Sequence, residues 1–170
     1  TRRRFIGTTS AVTTGLLIVP SNTIAGLGHK PPSDKLNIAG IGIGGMGRGN
    51  LERMATENIV ALCDVDWTVG RNNVPKIFET YPKAARYYDW RKMYDEMGKS
   101  IDAVLVATSD HNHAGPTAHA ITLGKHAYTQ KPLTHSVYES RLLTKLAAKY
   151  KVATQMGNQR SSAEGVRLPR

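Results

Sequence analysis

The residues best suited to chemistry begin with Gly42-Ile43-Gly44-Gly45-Met46-Gly47, which has the spacing G-x-G-x-x-G. Gly42 allows a tight turn, Gly44 lets main chain approach a pyrophosphate, and Gly47 permits close contact between a helix and a strand. Gly45 and Met46 complete a turn whose N–H groups, with the dipole of the following helix, favour negative charge. Asp64 lies 22 positions after Gly42. A carboxylate there accepts hydrogen bonds from the adenosine ribose hydroxyls and repels a 2′-phosphate. Val65, Asp66 and Trp67 follow it, with no arginine among them, which favours NAD over NADP as the cofactor. Asp66 is expected to cap the next helix.

A third group is Thr108-Ser109-Asp110-His111-Asn112-His113, directly after an apolar run. This places it at the carboxyl edge of a sheet, where open α/β sheets bind ligands. His111, His113 and His119 invite a metal reading, but no carboxylate–histidine pattern with ligand spacing accompanies them and His119 falls inside a helix. No metal site is expected; His113 is expected to hydrogen-bond the cofactor or cap the turn. The fourth group is Thr129-Gln130-Lys131-Pro132. Here Lys131 either points a cation into the ligand crevice or is a solvent-exposed lysine before a turn.

The elements that must position these residues alternate along the chain. Strands are expected at 36–41, 59–63, 85–88, 103–107, 127–129 and 152–155. Helices are expected from the glycine turn to about Glu57, over 67–80 with Pro75 in its middle, and over 90–97, 114–123 and 136–150. Ser136 and Glu139 have capping-box spacing, Tyr138, Leu142, Leu146 and Tyr150 repeat every four, and Gly124 lies just past a helix end. Strands alternating with helices imply an α/β fold with a doubly wound parallel sheet of Rossmann type.

Composition agrees with one packed domain: 40% hydrophobic and 21% charged residues in 170. The single Cys63 excludes an intramolecular disulfide and a multi-cysteine metal site, and it reads as a small buried residue. Of the net charge of +10, a surplus of four lies in residues 1–35 and the rest is spread without a basic run. A nucleic-acid partner is therefore not expected. Thr1-Arg2-Arg3-Arg4-Phe5-Ile6-Gly7 resembles a twin-arginine export signal, with a frayed basic N-terminus as the alternative. The apolar stretch from Ala11 to Pro20 is too short and Thr-rich to span a membrane, so no stable insertion is expected. Residues 1–35 are thus read as signal and linker, 36–156 as the dinucleotide-binding domain and 157–170 as a stub of a domain junction. The expected location is the periplasm or beyond.

The glycine turn, the strand ending at Asp64, Val106-Ala107-Thr108-Ser109-Asp110-His111-Asn112-His113, and Gly124-Lys125-His126-Ala127-Tyr128-Thr129-Gln130-Lys131-Pro132-Leu133 together resemble the Gfo/Idh/MocA oxidoreductases over roughly residues 35–160. Met156-Gly157-Asn158-Gln159 is similar to members from carbohydrate-degrading bacteria. The resemblance implies that Gly44 and Met46 approach the pyrophosphate and Asp64 the adenosine ribose. Thr108, Asp110 and His113 would line the cofactor, with His111 and Gln130 counted in the same set. Lys131 would stand beside the nicotinamide and the reacting carbinol as the catalytic residue, and Asn158 near the nicotinamide. It implies hydride transfer from a small carbohydrate-like alcohol, or NAD-dependent cleavage of a glycosidic bond by transient oxidation. A homo-oligomer is expected for the full-length form. Gln130 departs from the family, which commonly has Glu there; an amide can still bond a ribose but lends Lys131 no negative charge. The family continues with a large α/β substrate domain. The chain is accordingly expected to be a fragment, with a non-catalytic dinucleotide-binding module as the alternative.

Overall fold

The computed structural model describes residues 34–68 and 74–162. The expected export signal lies outside the described residues, apart from Asp34 and Lys35. The compact unit carrying the motifs begins at Leu36.

Six parallel strands form one sheet: β1 (Asn37–Ile41), β2 (Asn58–Cys63), β3 (Ala85–Tyr87), β4 (Ala103–Val106), β5 (His126–Gln130) and β6 (Thr154–Gly157). Their spatial order is β3-β2-β1-β4-β5-β6. The chain winds outward from β1 through β2 and β3, then resumes at β4 on the other side of β1. This is the doubly wound Rossmann arrangement read from the sequence, and the reversal between β1 and β4 opens a crevice at the carboxyl edge.

The helices are α1 (Met46–Arg53), α2 (Val74–Thr80), α3 (Trp90–Met97), α4 (Ala114–Thr122) and α5 (Val137–Tyr150). Alternate residues of one strand feed opposite cores. Ala61 and Cys63 of β2, with Val104 and Val106 of β4, pack with Met93 and Tyr94 of α3 and Ala120 of α4. Leu62 and Leu105, one residue out of step, join Leu51 of α1 and Val74 and Ile77 of α2. Both faces are therefore covered, which is why these strands read as unbroken apolar runs rather than alternating ones.

Three local expectations are corrected. Helix α1 stops at Arg53, short of Glu57, whose Oε2 instead accepts the Leu36 amide at 2.8 Å at the entry to β1. Trp67 and Thr68, expected to open helix α2, are not helical, and the described part of that helix is Val74–Thr80. Strand β6 begins two residues later than expected, because Lys151 adopts φ 55° and the Val152 amide donates to Ala147 O at 3.3 Å to close α5. In α5 the buried residue is Leu143, while Tyr138 is 75% exposed. A strict four-residue repeat drifts by roughly 40° per step around a helix of 3.6 residues per turn, so Tyr138, Leu142, Leu146 and Tyr150 cannot share one face. The capping box forms as read: the Ser136 amide donates to Glu139 Oε2 at 2.9 Å and the Glu139 amide to Ser136 Oγ at 3.3 Å. The bond from the Ser136 amide leads the effects that hold the Glu139 carboxyl below its usual range.

Candidate functional site

Strand register brings the chemistry to one edge. Ile41 pairs with Cys63 and with Val106, Val106 with Thr129, and Gln130 with Gly157. The residues that follow these strand ends are Gly42, Asp64, Ala107 and Thr108, Lys131 and Asn158. They leave the sheet side by side although up to 116 positions separate them in sequence.

The glycine turn is fixed by main chain. Gly42 has φ 75°, and its amide donates to Cys63 O at 2.9 Å. A Cβ on Gly42 would lie 2.6 Å from the Ala107 carbonyl carbon and the Thr108 nitrogen. A Cβ on Gly47 would overlap the Gly42 carbonyl oxygen. Gly45, with φ 49°, occupies the N-cap position of α1, and Met46 opens the helix and is 54% exposed. Asp64 Oδ2 accepts from the Ile43 amide at 2.8 Å and the Gly44 amide at 3.3 Å, while Oδ1 accepts from the Asp66 amide at 3.2 Å. The carboxylate at the end of β2 thus anchors the turn, and Gly44 aims its N–H at Asp64.

Between these residues lies a cavity of about 520 Å³. Gly42 and Gly44 line it from the turn, and Asp64 and Val65 from the end of β2. Thr108, His111 and Asn112 line it beyond β4, and Tyr88 and Trp90 beyond β3. Val65, Asn112, Tyr88 and Trp90 were not singled out from sequence. Tyr88 carried a usable signal, being the first residue after β3 as Asp64 is the first after β2. Trp67 stacks on Tyr88 at 4.0 Å between ring centroids and holds it at the rim. Cys63 also borders the cavity, but burial, with the nearby Asp64 and Asp89 charges adding to it, pushes its thiol up to about 12. The thiol therefore keeps its proton near neutral pH, whereas the thiolate is the nucleophilic form.

Other sequence-picked residues stand elsewhere. His113 is fully buried; Nδ1 lies 2.5 Å from Pro132 O and Nε2 3.0 Å from Thr108 O. Both ring nitrogens face protein carbonyls, so His113, expected to bond the cofactor or cap the turn, stands as a link between two loops. Gln130 is likewise buried, and its amide is consumed within the protein. Its Oε1 accepts from Asn50 Nδ2 at 3.0 Å and Gln159 Nε2 at 2.8 Å; its Nε2 donates to Gly157 O at 3.3 Å and Gln159 Oε1 at 3.2 Å. The expected ribose contact of Gln130 gives way to this amide cluster, and Asn50, 3% exposed on α1, went unnoticed in the sequence. Asp66 Oδ1 accepts from the Thr68 amide at 2.8 Å and the Thr68 hydroxyl at 2.6 Å; the residues between Thr68 and Val74 lie outside the described ones. Those bonds, the hydroxyl's first, lower its pKa.

Asp110 is exposed in a short 3-10 turn, Asp110–Asn112, together with His111. His119 packs edge-on against Trp90, ring centroids 5.6 Å apart, and beside Tyr94. Among the described residues, no group of three or more His, Cys, Asp or Glu is placed to hold a metal ion. Among the same residues no helix is long and apolar enough to cross a membrane. Lys131 is exposed directly after β5, joined to Pro132 by a cis peptide, and Asn158 is exposed directly after β6.

The sequence model of the GFO_IDH_MocA oxidoreductase family, described as an NAD-binding Rossmann fold, matches residues 36–158. The chain belongs to this family. Within the GFO_IDH_MocA family NAD is the cofactor, and the matched span takes in the glycine turn, Asp64, the loop after β4, Lys131 and Asn158. Among curated proteins the chain is similar to glycosyl hydrolase family 109 protein 2 of Akkermansia muciniphila, at 29% identity over 127 residues. That alignment covers 71% of this chain and 27% of the relative. Protein 1 of the same name and organism is 30% identical over 122 residues, covering 64% and 24%. The chain therefore spans about a quarter of the length of these relatives. Among solved structures, myo-inositol 2-dehydrogenase from Lactobacillus plantarum superposes with a TM-score of 0.66 at 21% identity, covering 76% of this chain and 38% of that one. A probable dehydrogenase from Thermotoga maritima gives 0.65 at 23% identity, covering 76% and 38%. At these identities the structures speak for the fold.

Proposed function

We propose that this chain is the cofactor-binding domain of an NAD-dependent oxidoreductase that oxidises a carbohydrate-like alcohol. The observation that carries the reading is that register brings the glycine turn, Asp64 and Lys131 out at one sheet edge, where the turn and Asp64 line an open cavity. The donor set fits a dinucleotide. Gly42 and Gly47 let main chain pack more closely than any Cβ would allow, which holds the turn in shape; the start of α1 presents main-chain N–H groups, and Asp64 offers carboxylate oxygens at the cavity wall. When bound, NAD supplies the hydride acceptor. Asp64 would hold the adenosine ribose and disfavour a 2′-phosphate. Thr108 and Asn112 would border the same half, and Asn158 would border the far half. Lys131 Nζ would hold the substrate hydroxyl and take part in moving its proton. The acid–base partner and the substrate are matters for the rest of the longer relatives' length.

A second reading rests on the curated relatives that bear a glycosyl hydrolase name. In it the same cofactor site serves cleavage of a glycosidic bond. Export through the twin-arginine pattern of residues 2–6 fits either reading.

The test is calorimetric titration of the chain with NAD and NADP. Binding of NAD with weaker binding of NADP is expected. Equal affinities, or a preference for NADP, would overturn the assignment of Asp64.

A further inference from the structure

His113 is a fully buried titratable side chain that the reading above leaves without a task. It sits at the N-cap position of α4 with helical dihedrals and makes no side-chain capping bond. Its two ring nitrogens face Pro132 O at 2.5 Å and Thr108 O at 3.0 Å. Those two carbonyls belong to different crevice loops. The ladder between β4 and β5 ends at Val106 and Thr129. Beyond it the two chains part, one to form the cavity wall at Thr108, the other to present Lys131. The imidazole continues the link between them where main-chain pairing has stopped.

We infer that His113 is a positioning residue, whose bond to Pro132 O sets where Lys131 stands relative to the cavity wall at Thr108. This inference rests on the cofactor reading for its consequence, though not for its geometry. Pro132 is the residue next to Lys131, so a ring N–H held by its carbonyl fixes the peptide that carries the lysine. Thr108 O locates the other end of the ring against β4. A carbonyl only accepts and a neutral imidazole carries one N–H, so the shorter contact, Nδ1 to Pro132 O, is the hydrogen bond and Nε2 packs against Thr108 O. At this burial no water is at hand to replace a lost partner.

The ring's two ends separate the roles. An asparagine amide reaches roughly as far as Nδ1 and retains a donor for Pro132 O, while a glutamine amide reaches roughly as far as Nε2 and retains one for Thr108 O. The experiment compares His113→Asn and His113→Gln in the 170-residue chain by amide hydrogen exchange of Lys131, Leu133 and Thr134. Chemical denaturation of each variant corrects for global stability. A second arm measures NAD and ADP-ribose affinities by calorimetry. Faster exchange at these amides is expected in His113→Gln and near-native exchange in His113→Asn. In His113→Gln, NAD affinity should fall by about tenfold, the scale of one hydrogen bond, with ADP-ribose affinity within about twofold. Equal exchange in the two variants, once stability is corrected, overturns the proposal. So does a parallel loss of NAD and ADP-ribose affinity in both. A wild-type chain that binds neither ligand overturns the cofactor reading instead, and the exchange arm still decides the role of His113.

Discussion

Asp64 Oδ2 accepts the Ile43 amide at 2.8 Å, so the carboxylate that ends β2 also anchors the glycine turn that ends β1. The two strand ends are locked together by a side chain as well as by their ladder. Asp64→Ala should therefore do two things at once. It removes the expected ribose acceptor, weakening NAD by about 1.5–3 kcal/mol, the scale of hydrogen bonds to a charged group. It also frees the Ile43 and Gly44 amides. Titration calorimetry of the variant with NAD, alongside amide exchange at those two residues, checks both effects. Unchanged affinity would remove Asp64 from the site.

Helix α1 offers a controlled pair. Gly47→Ala places a methyl where the Gly42 carbonyl oxygen already stands. Strand end and helix must separate, with a cost of about 1–3 kcal/mol for overpacking and loss of dinucleotide binding. Gly49→Ala, two residues on, meets nothing within 4 Å. It should stabilise the domain by about 0.5–1 kcal/mol through helix propensity alone. Urea denaturation of the two variants reads opposite signs if the packing is as described.

Gln130→Glu tests the amide cluster. The new oxygen would face Gly157 O and Gln159 Oε1, two acceptors, in a buried position. The variant should lose about 1–3 kcal/mol at neutral pH. Part of this loss should return in mild acid, where a protonated carboxyl donates again. Stability that is independent of pH across that range would mean that the cluster opens to water.

Cys63 supplies the alkaline test. Its thiol is raised from an ordinary value of 9.0 to about 12, so the folded state keeps its proton where the unfolded chain gives it up. The associated stability is complete below pH 9 and is lost as pH climbs towards 12. Cys63→Ala should flatten the alkaline limb of a stability profile relative to the wild type. In the native protein near neutral pH, Cys63 should resist thiol reagents that label it readily in urea.

The parts of this architecture that were legible in the sequence are those whose signal is local. The G-x-G-x-x-G spacing, the apolar runs ending at Cys63 and Val106, and the Ser136–Glu139 box each lie within a few residues. Register then carries Gly42, Asp64 and Lys131 to one edge without further information. What escaped depended on partners with no residue-type signature. The groups that occupy His113 are the carbonyls of Thr108 and Pro132, which any residue would supply. Gln130 meets Asn50 and Gln159, 80 positions before it and 29 after it. Neither pairing can be read from spacing.

Main chain crowds main chain in the crevice, where a Cβ on Gly42 would strike the peptide joining Ala107 to Thr108. Its floor is thus drawn in a material common to every residue. Substitution can rewrite the strands on either side, exchanging one apolar side chain for another, without altering the atoms that meet at the reversal point. The demand falls on two positions, Gly42 and Gly47, where the backbones come too near for any side chain. At those two points the site is set by a shape of main chain rather than by the chemistry of a side chain.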